Sequence, residues 1–180
     1  MSTKTCMVAT LMCTVALAEH TISLPAGFTI PGETVTTVQR GLQFTEGPVA
    51  DTLGNLYFTD IQQDRIYHVG ADGKDSVFKA NSGQANGLVL DGRGRLIACE
   101  RDRIVAYDTS SGSEETLTTV SGGSGRKKPN DISLTPDRGM FFTFPEWADN
   151  VGHICYAPFG GKTRFVARSV EGFPNGIAYV

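Results

Sequence analysis

Several common chemistries lack their residues in this chain of 180. Four cysteines stand at 6, 13, 99 and 155, and none has the spacing of a metal-binding cluster. The three histidines, His20, His68 and His153, share no ligand spacing either. No serine sits in a Gly-x-Ser-x-Gly elbow, which argues against a serine hydrolase of that kind. Gly122-Gly-Ser-Gly125 lacks the strand before and helix after that a phosphate loop needs. Sixteen Lys and Arg against nineteen Asp and Glu leave a net charge of −3, and the short run Arg126-Lys127-Lys128 lies in a Gly/Ser loop. A nucleic-acid surface is therefore not expected. The single tryptophan, Trp147, reads as packing. Helical periodicity is missing throughout, and no stretch reaches transmembrane length.

What is present begins with Met1-Ser-Thr-Lys-Thr, one positive charge, followed by the uncharged, mostly apolar run Cys6 to Ala18. Ala16-Leu17-Ala18 fits a small-x-small cleavage site, so residues 1–18 are expected to be a secretory signal peptide. The mature protein would be secreted or periplasmic, free of the membrane once the signal is removed. Cleavage would take Cys6 and Cys13 with it. Cys99 and Cys155 fall in strands of different repeats and read as two buried thiols. Residues 19–40, with Pro25, Gly27, Pro31 and Gly32, form a lead-in segment with one strand expected around Thr34–Val38.

From residue 41 onward the chain repeats itself. Glu46-Gly47 is echoed by Asn86-Gly87, Asn130-Asp131 and Asn175-Gly176, at intervals of 40, 44 and 45 residues. Each complete head leads into a strand, a turn with Asp and Gly, and a second strand. The first pair is Pro48–Ala50 and Asn55–Thr59. The second is Leu88–Leu90 and Arg95–Cys99, around Asp91 and Gly94. The third is Ile132–Leu134 and Met140–Phe144, around Asp137 and Gly139, with one residue more in the turn. Two further strands follow in each unit: Arg65–Val69 and Ser76–Lys79, Arg103–Tyr107 and Glu115–Val120, Gly152–Tyr156 and Thr163–Ala167. Four short strands per unit of about 40–50 residues are the signature of a β-propeller. The fold expected is all-β, about three blades plus the first strand of a fourth, a truncated propeller with open edges.

Equivalent positions of a propeller converge on one rim of the central channel. Glu46, Asn86, Asn130 and Asn175 would then form a partial ring of oxygen donors, suited to a hard cation such as Ca²⁺, Mg²⁺ or Mn²⁺. Asn at a strand start also serves as turn chemistry, and periodicity alone leaves both readings open. Glu46 is the exception, because glutamate is a poor turn residue. Asp60 and Glu100, ending second strands, are expected to organise the turns that follow.

Glu46-Gly-Pro-Val, Asn86-Gly-Leu-Val-Leu-Asp, Gly94-Arg-Leu-Ile-Ala-Cys-Glu100, Pro129-Asn-Asp-Ile and Pro174-Asn-Gly-Ile together resemble the gluconolactonase, senescence marker protein (regucalcin) and luciferin-regenerating enzyme family. The resemblance runs from about residue 38 to the end. It implies a six-bladed propeller with one divalent cation in the channel, Ca²⁺ foremost and Mg²⁺, Mn²⁺ or Zn²⁺ as alternatives. It also implies hydrolysis of a small-molecule sugar lactone or related ester. By position, Glu46 and Asn175 resemble the family's metal ligands, and Asn130 an asparagine close to metal and substrate. Lys128 stands where many members carry a substrate-binding Arg, and Asn86 matches an amide of the bacterial members. The family's remaining ligand, an aspartate that doubles as general base, would fall beyond Val180, so this fragment is expected to be weakly active or inactive. Two departures bear on substrate preference. Lys128 keeps the charge of Arg without its bidentate geometry, and Phe144 follows Thr143 where members usually show an acid. The alternative function is a non-catalytic propeller that binds a sugar or protein partner, which fold alone does not distinguish.

Overall fold

A computed structural model of the chain describes residues 37–120, 128–146 and 150–180, with the backbone alone at 168–170. The expected signal peptide, most of the lead-in segment and its strand, Trp147, and the loop with Arg126 and Lys127 lie outside these residues; Thr37 and Val38 are not in a strand. Twelve strands and no helix make up the described residues.

The strands form three antiparallel sheets, each in plain sequence order. Blade one holds β1 (Thr45–Ala50), β2 (Leu56–Asp60), β3 (Arg65–Val69) and β4 (Asp75–Ala80). Blade two holds β5 (Leu88–Leu90), β6 (Arg95–Cys99), β7 (Arg103–Asp108) and β8 (Glu114–Thr119). Blade three holds β9 (Ile132–Leu134), β10 (Gly139–Glu146), β11 (Val151–Pro158) and β12 (Arg164–Glu171). The first strands of successive blades lie side by side, β1 against β5 and β5 against β9. This is the propeller arrangement that the repeat predicts.

Apolar side chains between the sheets hold the blades together. Ile66, Leu96, Val105 and Tyr107 fill the space between blades one and two. Ile97, Ile104, Met140 and Phe142 do the same between two and three. The two faces of β6 feed different cores, as strict alternation along a strand requires. Cys99 and Cys155 are both fully buried thiols, in β6 and β11.

Turn chemistry explains the first two blades and corrects the reading of the third. In blade one the Asp51 carboxylate accepts from the N–H groups of Leu53 and Asn55, both at 2.9 Å. Asp91 repeats this with Arg93 and Arg95. In blade three the residue in that place is Thr135, whose Oγ1 accepts from Gly139 N at 2.9 Å. The closing bond, Thr135 N to Gly139 O, matches Asp91 N to Arg95 O, so the turn carries no extra residue. Arg138, at φ 64°, occupies the position of Gly94. A hydroxyl does the work of the carboxylate, and the turn holds a non-glycine residue left-handed.

Residues 173–180 run beside β9 in the place of a fourth blade's first strand but pair in no ladder. A blade's first strand bonds to its own second strand, and among the described residues none pairs with this segment. Its N–H groups find side chains instead, Ile177 N on Asp131 Oδ2 and Tyr179 N on Ser133 Oγ, both at 2.9 Å.

The heads meet so closely that glycine is required. Gly47 has φ 53°, and a Cβ there would fall on the carbonyl oxygen of Asn86. On Gly87 it would lie 2.6 Å from Asp131 Oδ1 and 2.7 Å from Asn130 O. Gly47→Ala is therefore expected to destabilise the fold by about 2 kcal/mol or more, from left-handed strain and overpacking together. Equilibrium denaturation of the variant checks this, and a wild-type midpoint would show that the heads tolerate separation.

Candidate metal centre

Each of the first three heads is tied to the second strand of its own blade. Glu46 pairs with Thr59 across a β-bulge, where Gly47 and Pro48 crowd into the space of one residue. Bulges commonly re-aim a side chain at a sheet end. In blades two and three the ties are main-chain bonds, Asn86 N to Cys99 O and Asn130 N to Thr143 O, both 2.9 Å.

A second set of bonds joins each head to the next. Thr59 Oγ1 lies 3.0 Å from both Glu46 O and Asn86 O and can donate to either. Thr143, the same position in blade three, donates to Asn175 O at 2.7 Å and accepts from Asp131 N at 3.0 Å. Cys99 holds that position in blade two. There the junction is made by the main chain, with Gly87 N donating to Asn130 O at 2.7 Å.

Convergence of the heads leaves a cleft of about 210 Å³, lined by Glu46, Gly47, Pro48, Asn86, Gly87, Leu88, Asp131 and Asn175. Three of the expected site residues, Glu46, Asn86 and Asn175, thus face one space. Asn130 and Lys128 are not among its lining residues. Asn130 is buried at 3% exposure, and its Oδ1 has no hydrogen-bond partner. Lys128 is half-buried, and burial, helped by the charge of Arg101, lowers its pKa.

Asp131 is the functional candidate that the sequence reading missed. It stands where the other heads have glycine, so Asn-Asp in a series of Asn-Gly and Glu-Gly was the available signal. Burial raises the Glu46 pKa above 4.5, the nearby Asp131 carboxylate raises it further, and the Gly47 N–H opposes both. Burial and Asp131 likewise push the Cys99 thiol well above its usual range, so it stays protonated.

Three other buried acids and the two described histidines are engaged elsewhere. Asp60 accepts from the backbone N–H groups of Gln43, Phe44 and Gln63, so it binds the lead-in as well as the next turn. Glu100 accepts from Arg103 Nε at 2.6 Å and from the Tyr107 hydroxyl. In blade three Phe144 is core, and the buried acid comes two residues later, Glu146 against His153 Nε2 at 2.7 Å. His68 packs on Tyr57.

Among the described residues no group of three or more His, Cys, Asp and Glu is placed to hold a metal. The cleft's donor set is two carboxylates and the amides of the heads. Such oxygen-only donors suit a hard divalent cation. The partnerless, buried Asn130 Oδ1 next to Asp131 agrees with a polar demand left open at this rim.

Residues 44–179 match the SMP-30/Gluconolactonase/LRE-like region, and the chain belongs to that family. Among solved structures it is similar to a structural-genomics target assigned as a gluconolactonase. The two share 26% identity and a TM-score of 0.65, over 79% of this chain and 54% of the other. A gluconolactonase of Xanthomonas campestris shares 22% identity and a TM-score of 0.61, over 73% of this chain and 50% of that one. The calcium-binding regucalcin of Agrobacterium tumefaciens shares 16% and 0.62, over 73% and 46%. The chain thus spans about half the length of these proteins. No protein of the curated set matches it.

The raised pKa of Glu46 has a consequence for stability. A carboxyl raised above 4.5 in the folded state favours folding below pH 4.5, and that contribution is lost as pH climbs through the folded value. Glu46→Gln removes the loss. In metal-free buffer the variant should gain stability relative to wild type between pH 4 and 7, read from denaturant midpoints at both pH values. A pH-independent difference would mean that Glu46 titrates normally.

Proposed function

We propose that the protein to which these blades belong is a divalent-metal-dependent hydrolase of sugar lactones or related esters. The observation that carries this reading is the pair of carboxylates, Glu46 and Asp131, sharing a cleft walled by the amide heads Asn86 and Asn175. Two neighbouring half-buried carboxylates disfavour each other's ionisation and invite a cation. Family membership and the likeness to gluconolactonases support the chemistry.

Glu46 and Asn175 would hold the cation, with Asn130 as a further amide donor. Ca²⁺ is the first candidate, since the Agrobacterium relative is a calcium-binding protein. Bound there, a divalent cation supplies polarisation of an ester carbonyl and stabilises charge on its oxygen. The chain's own residues do the positioning. Asn86 presents an amide able to donate to and accept from ring hydroxyls. Lys128, behind the rim, supplies positive charge toward developing or resident anions. Pro48 and Leu88 give the cleft an apolar wall that limits water around the substrate. Glu46 is assigned to the metal and not to proton transfer, because a coordinated carboxylate is a poor base. Activation of the attacking water is assigned to no residue of this chain. The proposed setting is outside the cytoplasm, on the strength of residues 1–18 alone.

In the full-length protein, Glu46→Ala should abolish metal-dependent hydrolysis of an aldonolactone. The loss should exceed the roughly 10–100-fold typical of removing groups that only orient metal ligands. A pH-stat assay with and without chelator reads it, and turnover unchanged by the substitution would sink the assignment.

A further inference from the structure

Asp131 makes a contact that no other head makes. It occupies the position of Gly47, Gly87 and Gly176, so its carboxylate is the one side chain beyond a hydrogen atom at that place in four heads. Room exists because Gly87 has no Cβ, which would lie 2.6 Å from Asp131 Oδ1. From there the carboxylate reaches forward to the next head.

We propose that Asp131 is the positioning residue of the cleft, which clamps the fourth head so that Asn175 faces Glu46 and supplies the second negative charge. The consequence for cation binding rests on the metal-dependent reading above; the clamp does not. The hydrogen bonds around it form a closed circuit. Asp131 N–H donates to Thr143 Oγ1 at 3.0 Å. The Thr143 hydroxyl donates to Asn175 O at 2.7 Å. Ile177 N–H donates back to Asp131 Oδ2 at 2.9 Å. The circuit brackets Asn175 and Gly176 from both sides. These bonds, with Tyr179 N on Ser133 Oγ and the Tyr179 ring stacked on Phe141, hold the segment against blade three.

A clamp alone does not require a charge. Two residues further along the same pair of segments, the neutral hydroxyl of Ser133 captures Tyr179 N–H at the same 2.9 Å. A neutral amide at 131 would also offer Ile177 N–H an acceptor, in a weaker, uncharged bond. The carboxylate's charge is surplus to that task, and it is directed into the cleft that Glu46 lines. Two like charges so placed are unfavourable unless a cation lies between their reach. Position and charge are thus separable functions of one side chain.

Two variants of the full-length protein separate them, with calcium affinity by calorimetry and amide hydrogen exchange over residues 173–180 as readouts. Asp131→Asn keeps an acceptor for Ile177 N–H and removes the charge. It should retain wild-type exchange protection at Ile177 and lose calcium affinity by roughly 10–100-fold. Asp131→Ala should lose protection as well and bind calcium more weakly still. Wild-type protection in Asp131→Ala overturns the clamp, and wild-type affinity in Asp131→Asn overturns the role of the charge. Should Asp131→Ala not fold, the near-isosteric Asp131→Asn still decides the charge, and exchange at Ile177 in Thr143→Val decides the circuit: unchanged protection there overturns it. A wild-type protein that binds no divalent cation overturns the metal reading and the charge together, while exchange in the variants continues to judge the clamp.

Discussion

Everything at the channel rim depends on how closely one head can approach the next. The first strands of blades two and three are only three residues long, so little ladder holds them in place. Their position comes from contacts between heads: a threonine hydroxyl set between two carbonyls, a glycine with no side chain to keep the next carbonyl away, and a 2.7 Å main-chain bond from Gly87 to Asn130. These contacts are sterically unforgiving in a way that the apolar interblade cores are not. A core can exchange one hydrophobe for another of similar volume. A methyl group at Gly47 has no such alternative, since the atom it would meet is backbone.

The acids of the chain fall into two groups by surroundings. Asp60 and Glu100, both at the ends of second strands, are buried and fully engaged, the first by three backbone N–H groups and the second by Arg103 and Tyr107. They are structural: burial is offset by donors supplied locally. Glu46 and Asp131 are arranged in the opposite manner. Each has a backbone N–H, from Gly47 and Ile177 respectively, but what faces Glu46 across the cleft is another carboxylate. Evolution of a stable fold alone gives no reason to gather like charges at the one place where the blades converge, and a ligand of opposite charge gives one.

Most of the architecture was legible because the repeat carries it. Leu88–Leu90, Arg95–Cys99 and Ile132–Leu134 are strands with the boundaries that hydrophobic pattern and turn residues imply. The failures have physical causes. The third turn was misaligned because Thr135 accepts the same backbone donor as Asp51 and Asp91, and Arg138 adopts the conformation that glycine usually marks. Within the site, Glu46 stood out as a charge among amides, whereas Asp131 hid behind the asparagine chosen to represent its head. Which of two adjacent residues lines the cleft is a matter of register at the strand start, and that is settled by packing. Asn130, the residue singled out, is buried and is not among the residues that line the cleft.

The three junctions show how a repeated scaffold acquires a single site. The Thr59, Cys99 and Thr143 position began as one element of a common plan, yet each copy now does something different. Thr59 bridges two carbonyls and needs nothing else. Cys99, a weaker donor held protonated by burial and by Asp131, leaves the junction to the main chain. Thr143 links Asp131 to Asn175 and so becomes part of the circuit that sets the fourth head. A symmetric ring of amides would bind a cation weakly and without orientation. One glutamate in place of an asparagine and one aspartate in place of a glycine put two carboxylates on the same cleft. Because each replacement sits where the scaffold already forces close approach, two substitutions gather paired charge at a structural seam, the site proposed here for the cation.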